Sequence, residues 1–269
     1  MEIKINDDFD LKKIIDSGQC FRPVEIEPGT FRFIIGDNIL HITERGGGVF
    51  EVDCTPEIWK SCWENYFDLG TEYKQIRREM ETFAATKPYK DFLLNALEFG
   101  AGIRILRQDP FEMLISFIIS QRKNIPAIRT SIEKICQRFG RKVGNVYLFP
   151  RIEDMSGVTI DDLRGLGLAY RKDYILDAML NVTDGFLESL EELSDNELVE
   201  RLKTIRGVGD KIAKCVALFA YHRMNRVPVD VWIKRSIEDD FGRENVFDAF
   251  GKQAGLLQQY VYYYKRTKG

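Results

Sequence analysis

The stretch GVGDK, residues 207–211, decides the fold because it separates two segments with helical patterning. Residues 195–205 (DNELVERLKTI) place apolar side chains at i, i+1, i+4 and i+7, and Ser194 with Glu197 predicts a capping box at their start. Residues 211–221 (KIAKCVALFAY) are apolar on nearly every side. The pattern predicts two helices joined by a tight turn, a helix-hairpin-helix.

The turn between the two helices contains two glycines. Gly207 and Gly209 permit positive φ angles and let another backbone approach closely. The free N–H groups at the start of the second helix carry partial positive charge, so the turn is an anion site that fits a DNA phosphate. The alternative is an ordinary αα-hairpin whose glycines only end a helix.

Lys211 opens the second helix and is a candidate nucleophile. At an ordinary pKa of about 10.4 its amine is almost fully protonated near neutrality, so a nucleophilic lysine needs burial or a nearby cation. Apolar neighbours on the helix and the ammonium of Lys214 could supply both. The alternative is a lysine that only touches phosphate.

Asp230 ends the run VPVD, residues 227–230, which favours an extended segment leading to a helix that begins near Val231 or Trp232. Its carboxylate is predicted to cap that helix. Beside a sugar, the same carboxylate could stabilise the positive charge that develops at C1′ as a base departs. The alternative is a plain N-cap.

The hairpin, its turn, Lys211 and Asp230 together resemble the helix-hairpin-helix (HhH-GPD) DNA glycosylase superfamily, in which the lysine marks the bifunctional members. Further motifs are similar to the 8-oxoguanine DNA glycosylase family, and the resemblance spans almost the whole chain. These motifs are SGQCFR (17–22), LRQDP (106–110), Asn124-Ile125 and GLGLAYR (165–171). The resemblance implies an α+β fold in which an N-terminal antiparallel sheet domain of the TBP-like type precedes a mainly helical domain.

The resemblance implies catalytic roles for Lys211 and Asp230. Lys211 would attack C1′, form a Schiff base and support β-elimination at the 3′ side, while Asp230 would stabilise the oxocarbenium-like transition state and help with proton transfer. Tyr170 would wedge into the duplex and Arg171 would contact the orphaned partner base. The remaining candidate DNA-binding residues are Asn124, Gly207, Gly209, Arg122 and Lys123.

Four residues would form the pocket for the flipped base. The carbonyl of Gly18 would accept the N7–H that 8-oxoguanine has and guanine lacks. Cys215 and Tyr262 would lie on the two faces of the base, and Gln258 would read its Watson–Crick edge. Simpler alternatives are a turn glycine at Gly18, a small buried hydrophobe at Cys215 and an ordinary packed helix face near the C-terminus.

The chain departs from the family pattern where the family contacts the partner base and the phosphates. Arg122 and Lys123 replace part of an asparagine-rich run, so we expect them to contact phosphate. Ala127 replaces an arginine that clasps the cytosine opposite the lesion, which predicts a relaxed partner-base requirement. Trp232 replaces a phosphate-binding histidine, and its indole N–H carries no charge.

The charge of the chain is unevenly distributed, although the net charge is only −3. Residues 104–142 hold nine Lys/Arg against three Asp/Glu, and residues 203–235 hold eight against two, so each segment carries +6. Both segments contain candidate DNA motifs. The asymmetry predicts a basic DNA-binding face whose affinity falls steeply with salt, and solvated charge runs are the alternative.

The five cysteines and two histidines predict no metal site, because they form no cluster with ligand spacing. No cysteine follows Cys215, whereas superfamily members with an iron–sulfur cluster need four near the C-terminus. No cofactor is expected, since a protonated Schiff base is itself the electron sink. Without a signal peptide or an apolar run of about 18 residues, we expect a cytoplasmic protein with no membrane partner. The resemblance implies a prokaryotic subgroup of the family, and we expect a monomer.

The order of elements predicts three regions. Strand-like runs at 30–35, 39–43 and 49–52 and a helix at 56–67 predict a sheet domain over residues 1–90. A helical domain with the hairpin at about 195–221 would occupy residues 91–235, and a helical segment over 236–269 would complete the base pocket.

These patterns predict a bifunctional DNA glycosylase and lyase that flips 8-oxoguanine out of double-stranded DNA, excises it and cleaves the strand. Three alternatives stay open. A monofunctional alkylbase glycosylase would use Asp230 with water and would not need Lys211. A glycosylase for oxidised pyrimidines and a non-catalytic helix-hairpin-helix DNA-binding protein are the others.

Overall fold

The structure, a computed structural model, describes all residues of the chain, 1–269. Its contacts divide the chain into two compact units. The sheet unit comprises Met1–Phe33, Leu40–Arg107 and His222–Gly269, and the hairpin unit comprises Ile34–Ile39 and Gln108–Tyr221. The predicted α+β class, an N-terminal sheet followed by helices, is confirmed. The predicted domain limits at residues 90 and 235 stay a prediction.

Five strands form one sheet in the order β1-β5-β4-β3-β2. They are β1 (Glu2–Lys4), β2 (Val24–Glu27), β3 (Thr30–Ile35), β4 (Asn38–Gly46) and β5 (Val49–Val52). The pairs β1–β5, β2–β3 and β4–β5 are antiparallel. Phe31 and Phe33 of β3 are buried while Arg32 between them is not, which is the alternation of a half-buried strand.

The strands predicted at 30–35 and 49–52 are confirmed, and the one predicted at 39–43 extends to Asn38 and Gly46. β1 and β2 were not predicted. Their sequences, EIK and VEIE, are too short and too charged to show the alternation of apolar and polar residues that marks a strand.

The sheet unit continues with α1 (Leu11–Asp16), α2 (Pro56–Ile58), α3 (Glu64–Tyr66), α4 (Tyr73–Ala84) and α5 (Lys90–Gly100). A π-helical turn, Trp59–Trp63, joins α2 to α3, so the predicted helix is continuous. Phe67 follows α3 and makes edge-to-face contacts with Phe9 and Phe33, with ring centroids 5.2 and 5.0 Å apart. Aromatic packing thus forms the core beside the sheet.

The hairpin unit contains α6 (Pro110–Ser120), α7 (Ile125–Phe139), α8 (Lys172–Asn181), α9 (Asp184–Ser189), α10 (Asp195–Leu202) and α11 (Asp210–Phe219), with a small hairpin of β6 (Lys142–Val143) and β7 (Val146–Tyr147). The predicted capping box is confirmed: Ser194 caps α10 and its backbone N–H donates to Glu197. α10 ends at Leu202, three residues before the predicted end. α6 and α11 pack through Phe117 and Phe219, which stack at 5.6 Å.

The chain ends in the sheet unit with α12 (Val231–Arg235) and α13 (Ala254–Lys268). α13 packs against α5, where a Cβ on Gly100 would come within 2.4 Å of Tyr260. Gly100 therefore permits the close approach that buries the inner face of α13. No helix of the structure is both long and apolar enough to cross a membrane.

Candidate functional site

The two glycines of the hairpin turn have different conformations. Gly207 has φ +86°, and a Cβ there would come within 2.4 Å of the Tyr174 ring. Gly209 caps α11 with φ −96° and ψ 178°, an ordinary extended conformation, and nothing lies within 4 Å of the Cβ it lacks. The expected positive φ is confirmed only for Gly207. Gly207 serves packing inside the unit, whereas Gly209 leaves open space at the helix N-terminus.

Lys211 is the second residue of α11, and Cys215 follows one helical turn later on the same face. The Lys211 ammonium lies 5.3 Å from the ring centroid of Phe117, within cation–π distance, and Cys215 is buried. Lys214 pairs with Asp210 at 2.9 Å, so its charge is compensated inside the helix. The expected influence of a free Lys214 cation on Lys211 therefore has no support in this geometry.

Asp230 caps α12 as predicted. Its Oδ1 accepts the backbone N–H groups of Trp232 at 3.0 Å and Ile233 at 2.9 Å. Both hydrogen bonds fall on one carboxylate oxygen, which fixes the orientation of the group at the positive end of the helix. Trp232 thus contributes its backbone N–H to this cap. The guanidinium of Arg235 lies 5.2 Å from the centre of the Trp232 indole ring.

Gly18 and Tyr262 are in direct contact within the sheet unit. A Cβ on Gly18, which has φ +83°, would lie 3.0 Å from Tyr262 Cε1. The flanking residues fix this segment: the carbonyl of Ser17 accepts a hydrogen bond from Gln259, and the Gln19 amide bonds to the backbone of residues 104 and 106 at 2.8 Å. Only glycine fits this position, because a side chain would be both strained and obstructed.

Gln258 and Tyr262 lie four residues apart on α13 and so share one face of the helix. Gln258 is 4% exposed, and its Oε1 is buried without a protein donor. Such an acceptor costs about 1–3 kcal/mol unless a ligand or water supplies a hydrogen. The Arg266 guanidinium lies 5.3 Å from the centre of the Tyr262 ring. The sheet unit thus brings Gly18, Gln258 and Tyr262 to one region.

Tyr170 and Arg171 lie in a 3-10 turn, Ala169–Arg171, of the hairpin unit. Tyr170 is 47% exposed, as a wedge residue should be. Arg171 is only 5% exposed; its guanidinium lies 4.5 Å from the centre of the Tyr170 ring and donates to the carbonyl of Gln121. A contact between Arg171 and a partner base therefore stays a prediction and would require this side chain to leave its carbonyl partner.

The loop between α6 and α7 holds the remaining candidates. Arg122 is exposed with φ +50°, and Asn124 caps α7 by accepting the N–H of Ala127 at 2.9 Å. Lys123 turns inward: its Nζ donates to Ser131 Oγ at 2.5 Å and to a loop carbonyl at 2.9 Å. Burial, and after it the charges of nearby cations, lower the pKa of Lys123. Of the two predicted phosphate contacts, only Arg122 faces solvent freely.

Sequence reasoning missed Asp68 and His222, which form a buried pair in the sheet unit. His222 Nε2 lies 3.1 Å from Asp68 Oδ2, which also accepts the Tyr73 hydroxyl at 2.9 Å, while Arg107 pairs with Oδ1 at 2.9 Å. Burial raises the pKa of Asp68, but hydrogen bonding and charge from His222, then Tyr73 and Arg107, lower it to about 2. No local period links residues 68 and 222, so the sequence offered no signal.

Comparisons with known proteins agree with this architecture. Residues 115–248 match the HhH-GPD superfamily of base excision DNA repair proteins, and residues 2–114 match the N-terminal domain of 8-oxoguanine DNA glycosylase. A solved structure of MBOgg1 in complex with a low-affinity DNA ligand is 35% identical, has a TM-score of 0.90 and covers 99% of this chain and 95% of that one. The fold and hairpin therefore define a member of the helix-hairpin-helix glycosylase superfamily.

Within that superfamily, the chain belongs to the 8-oxoguanine DNA glycosylase family. The Clostridium acetobutylicum 8-oxoguanine glycosylase/lyase, solved with double-stranded DNA containing cytosine opposite 8-oxoguanine, is 32% identical with a TM-score of 0.89, over 99% of this chain and 98% of that one. The N-glycosylase/DNA lyase of Saccharomyces cerevisiae is 35% identical over 158 residues, which span 52% of this chain and 42% of the yeast protein. The similarity thus covers less than half of that relative's length.

Proposed function

We propose that the protein is a bifunctional DNA glycosylase and lyase that removes 8-oxoguanine from double-stranded DNA. Membership of the family supports the reaction class. The observation that supports a base-binding pocket is the buried Gln258 Oε1 without a protein donor, one helical turn from Tyr262, which contacts Gly18. A base edge with a hydrogen-bond donor would satisfy this oxygen, and an aromatic ring beside it suits a flat base. The choice of 8-oxoguanine over guanine rests on the proposed hydrogen bond from its N7–H to the Gly18 carbonyl.

In the proposed reaction the neutral Lys211 amine attacks C1′ while the bond from C1′ to the base breaks and the base leaves with the electron pair. Asp230, oriented by its cap hydrogen bonds, stabilises the positive charge on the sugar in the transition state. Loss of a proton and opening of the sugar give a protonated Schiff base. Removal of a C2′ proton then expels the 3′ phosphate by β-elimination, and hydrolysis frees the lysine.

The proposal includes a relaxed requirement for cytosine opposite the lesion. The methyl side chain of Ala127 has no hydrogen-bonding atom, and Arg171 donates to the Gln121 carbonyl. Discrimination among partner bases depends on such directed hydrogen bonds. Action as a monomer, and in the cytoplasm of a prokaryote, stays a prediction.

Borohydride trapping tests the function directly. Wild type, Lys211→Gln and Lys214→Gln are incubated with duplexes that contain 8-oxoguanine opposite each of the four bases. We expect a covalent adduct with wild type and Lys214→Gln and none with Lys211→Gln, because Lys214 is paired with Asp210 and is the matched control on the same helix.

Other outcomes of this experiment point to the alternatives. Free base without any adduct would indicate a monofunctional glycosylase. If neither free base nor an adduct forms, the protein would be a non-catalytic DNA-binding protein or would act on a different lesion. An adduct only opposite cytosine would contradict the relaxed partner-base requirement.

A further inference from the structure

The loop that carries Tyr170, residues 165–171 and here called the wedge loop, has an unusual backbone. Gly165 and Gly167 have φ +79° and +75°, which glycine adopts without strain. Ala169, directly before Tyr170, has φ +51°, a left-handed conformation that strains a non-glycine residue. Such a conformation persists only when surrounding contacts hold it.

Two lysines of the hairpin unit donate hydrogen bonds to backbone carbonyls of the wedge loop. Lys123 Nζ donates to the carbonyl of Gly167 at 2.9 Å and to Ser131 Oγ at 2.5 Å, while Lys134 Nζ donates to the carbonyl of Gly165 at 3.0 Å. A Cβ on Gly167 would lie only 2.9 Å from Ser131 Oγ. Two charge-assisted hydrogen bonds therefore hold the backbone of the wedge loop on both sides of Leu166.

The backbone around Lys123 supports this inward orientation. Arg122 adopts φ +50° and the N–H of Lys123 donates to the Ser120 carbonyl at 3.2 Å, which closes a tight turn after α6. Arg122 at the tip is exposed, whereas Lys123 is partly buried. The turn thus presents one cation to solvent and directs the next one at the wedge loop.

We propose that Lys123 is a positioning residue, whose ammonium holds the wedge loop in the geometry that presents Tyr170 to the DNA duplex. The inference rests on the proposed function and on the expectation that Tyr170 wedges into the duplex. It replaces the expectation from sequence that Lys123 neutralises a phosphate. If the loop is ordered before DNA binds, none of the binding free energy is needed to order it. Lys123 therefore contributes to the insertion of Tyr170 into the duplex.

The salt dependence of DNA binding separates positioning from phosphate contact. Each phosphate neutralised by a cationic side chain contributes about 0.9 to the slope of log affinity against log salt. We expect Lys123→Met to leave the slope of wild type unchanged and Arg122→Met to reduce it by about 1. Met keeps the Cβ and the unbranched chain at both sites, which makes the two variants matched.

The wedge itself is measured by 2-aminopurine placed beside the lesion, because unstacking of this base raises its fluorescence. We expect Tyr170→Ala to abolish the rise seen with wild type and Lys123→Met to reduce it severalfold, with kcat lower by about 10- to 100-fold and KM little changed. Lys123→Arg, which keeps the charge and the donor, should restore most of the rise. Lys134→Met, which removes only the Gly165 bond, should show a weaker defect.

The proposal would be overturned in favour of phosphate contact if Lys123→Met reduced the slope of log affinity against log salt by about 1 and kept a normal rise in 2-aminopurine fluorescence. Equal defects in Lys123→Met and Lys123→Arg would also overturn it, because a positioning ammonium should be replaceable by a guanidinium. The binding and fluorescence measurements need no excision. Failure of wild type to release 8-oxoguanine would therefore count against the proposed function and leave the test of Lys123 intact.

Discussion

Alanine substitutions at the two hairpin glycines should affect different properties. Gly207→Ala should mainly lower the stability of the protein, whereas Gly209→Ala should mainly weaken its binding to DNA. Gly207 is held at φ +86°, and its missing Cβ would come within 2.4 Å of the Tyr174 ring. Gly209 has an ordinary φ of −96°, and open space lies where its Cβ would be. The same methyl group is therefore obstructed at one position and free at the other, two residues along the same turn.

The expected magnitudes follow from these geometries. At Gly207 the left-handed conformation costs an alanine about 1–2 kcal/mol, and forcing a methyl into the packed ring adds about 1–3 kcal/mol. Gly207→Ala should therefore lower the free energy of unfolding by about 2–5 kcal/mol, a large part of the stability of a typical domain. Gly209→Ala changes only the preference for glycine at an N-cap and should cost less than about 1 kcal/mol.

For DNA affinity the order reverses. A methyl group on Gly209 would stand where a phosphate approaches the free N–H groups of α11. Loss of one hydrogen bond to a charged group costs about 1.5–3 kcal/mol, or about 10- to 150-fold in Kd. Urea unfolding followed by tryptophan fluorescence measures stability, and fluorescence anisotropy at fixed salt measures affinity. A Gly207→Ala protein as stable as wild type, or a Gly209→Ala protein with unchanged affinity, would refute this division of roles.

Three further substitutions separate structural from functional contributions. Asp230→Asn keeps an equally good N-cap, so urea unfolding should change by less than about 0.5 kcal/mol while single-turnover excision falls by about 100-fold or more; equal excision would reduce Asp230 to a plain cap. Gln258→Leu removes a buried acceptor without a protein donor, so we expect stability within about 1 kcal/mol of wild type but a clear loss of excision; unchanged excision would mean that Gln258 reads no base edge. The pKa of Asp68 is lowered to about 2, which adds about 2 kcal/mol to the free energy of unfolding. This contribution is fully present above the unfolded-state pKa near 4 and is lost as the pH falls through 2. Asp68→Asn should therefore be less stable than wild type at pH 7, with a difference that narrows between pH 4 and pH 2 in urea titrations; a constant difference would contradict the lowered pKa of Asp68.

Much of the hairpin could be predicted from sequence because the signals that define it are local. The capping box at Ser194 and Glu197 and the cap at Asp230 depend on residues two or three positions apart, and both were confirmed. The ends of α10 and α11 were less accurate, since Leu202 and Phe219 end helices whose apolar pattern continues for a few residues more.

The candidate site was predictable in its residue types but not in their orientation. Gly18 and Tyr262 are more than two hundred residues apart, and only the resemblance to a family placed them together before the structure showed their contact. Arg122 and Lys123 are adjacent cations with one expected role, yet the first faces solvent and the second bonds to the wedge loop. Sequence cannot distinguish them, because the direction of each side chain depends on the turn between α6 and α7.

The sequence by itself determined the two helices around residues 207–211, their caps and three of the five strands of the N-terminal sheet. These features depend on backbone propensity and on periodicity, which act over a few neighbouring residues. The tertiary structure alone decided that Lys123 holds the wedge loop, that Arg171 is buried and that Asp68 pairs with His222. Each of these contacts joins residues distant in the chain, and such contacts form only when packed elements exclude water and bring the charged groups within hydrogen-bonding distance.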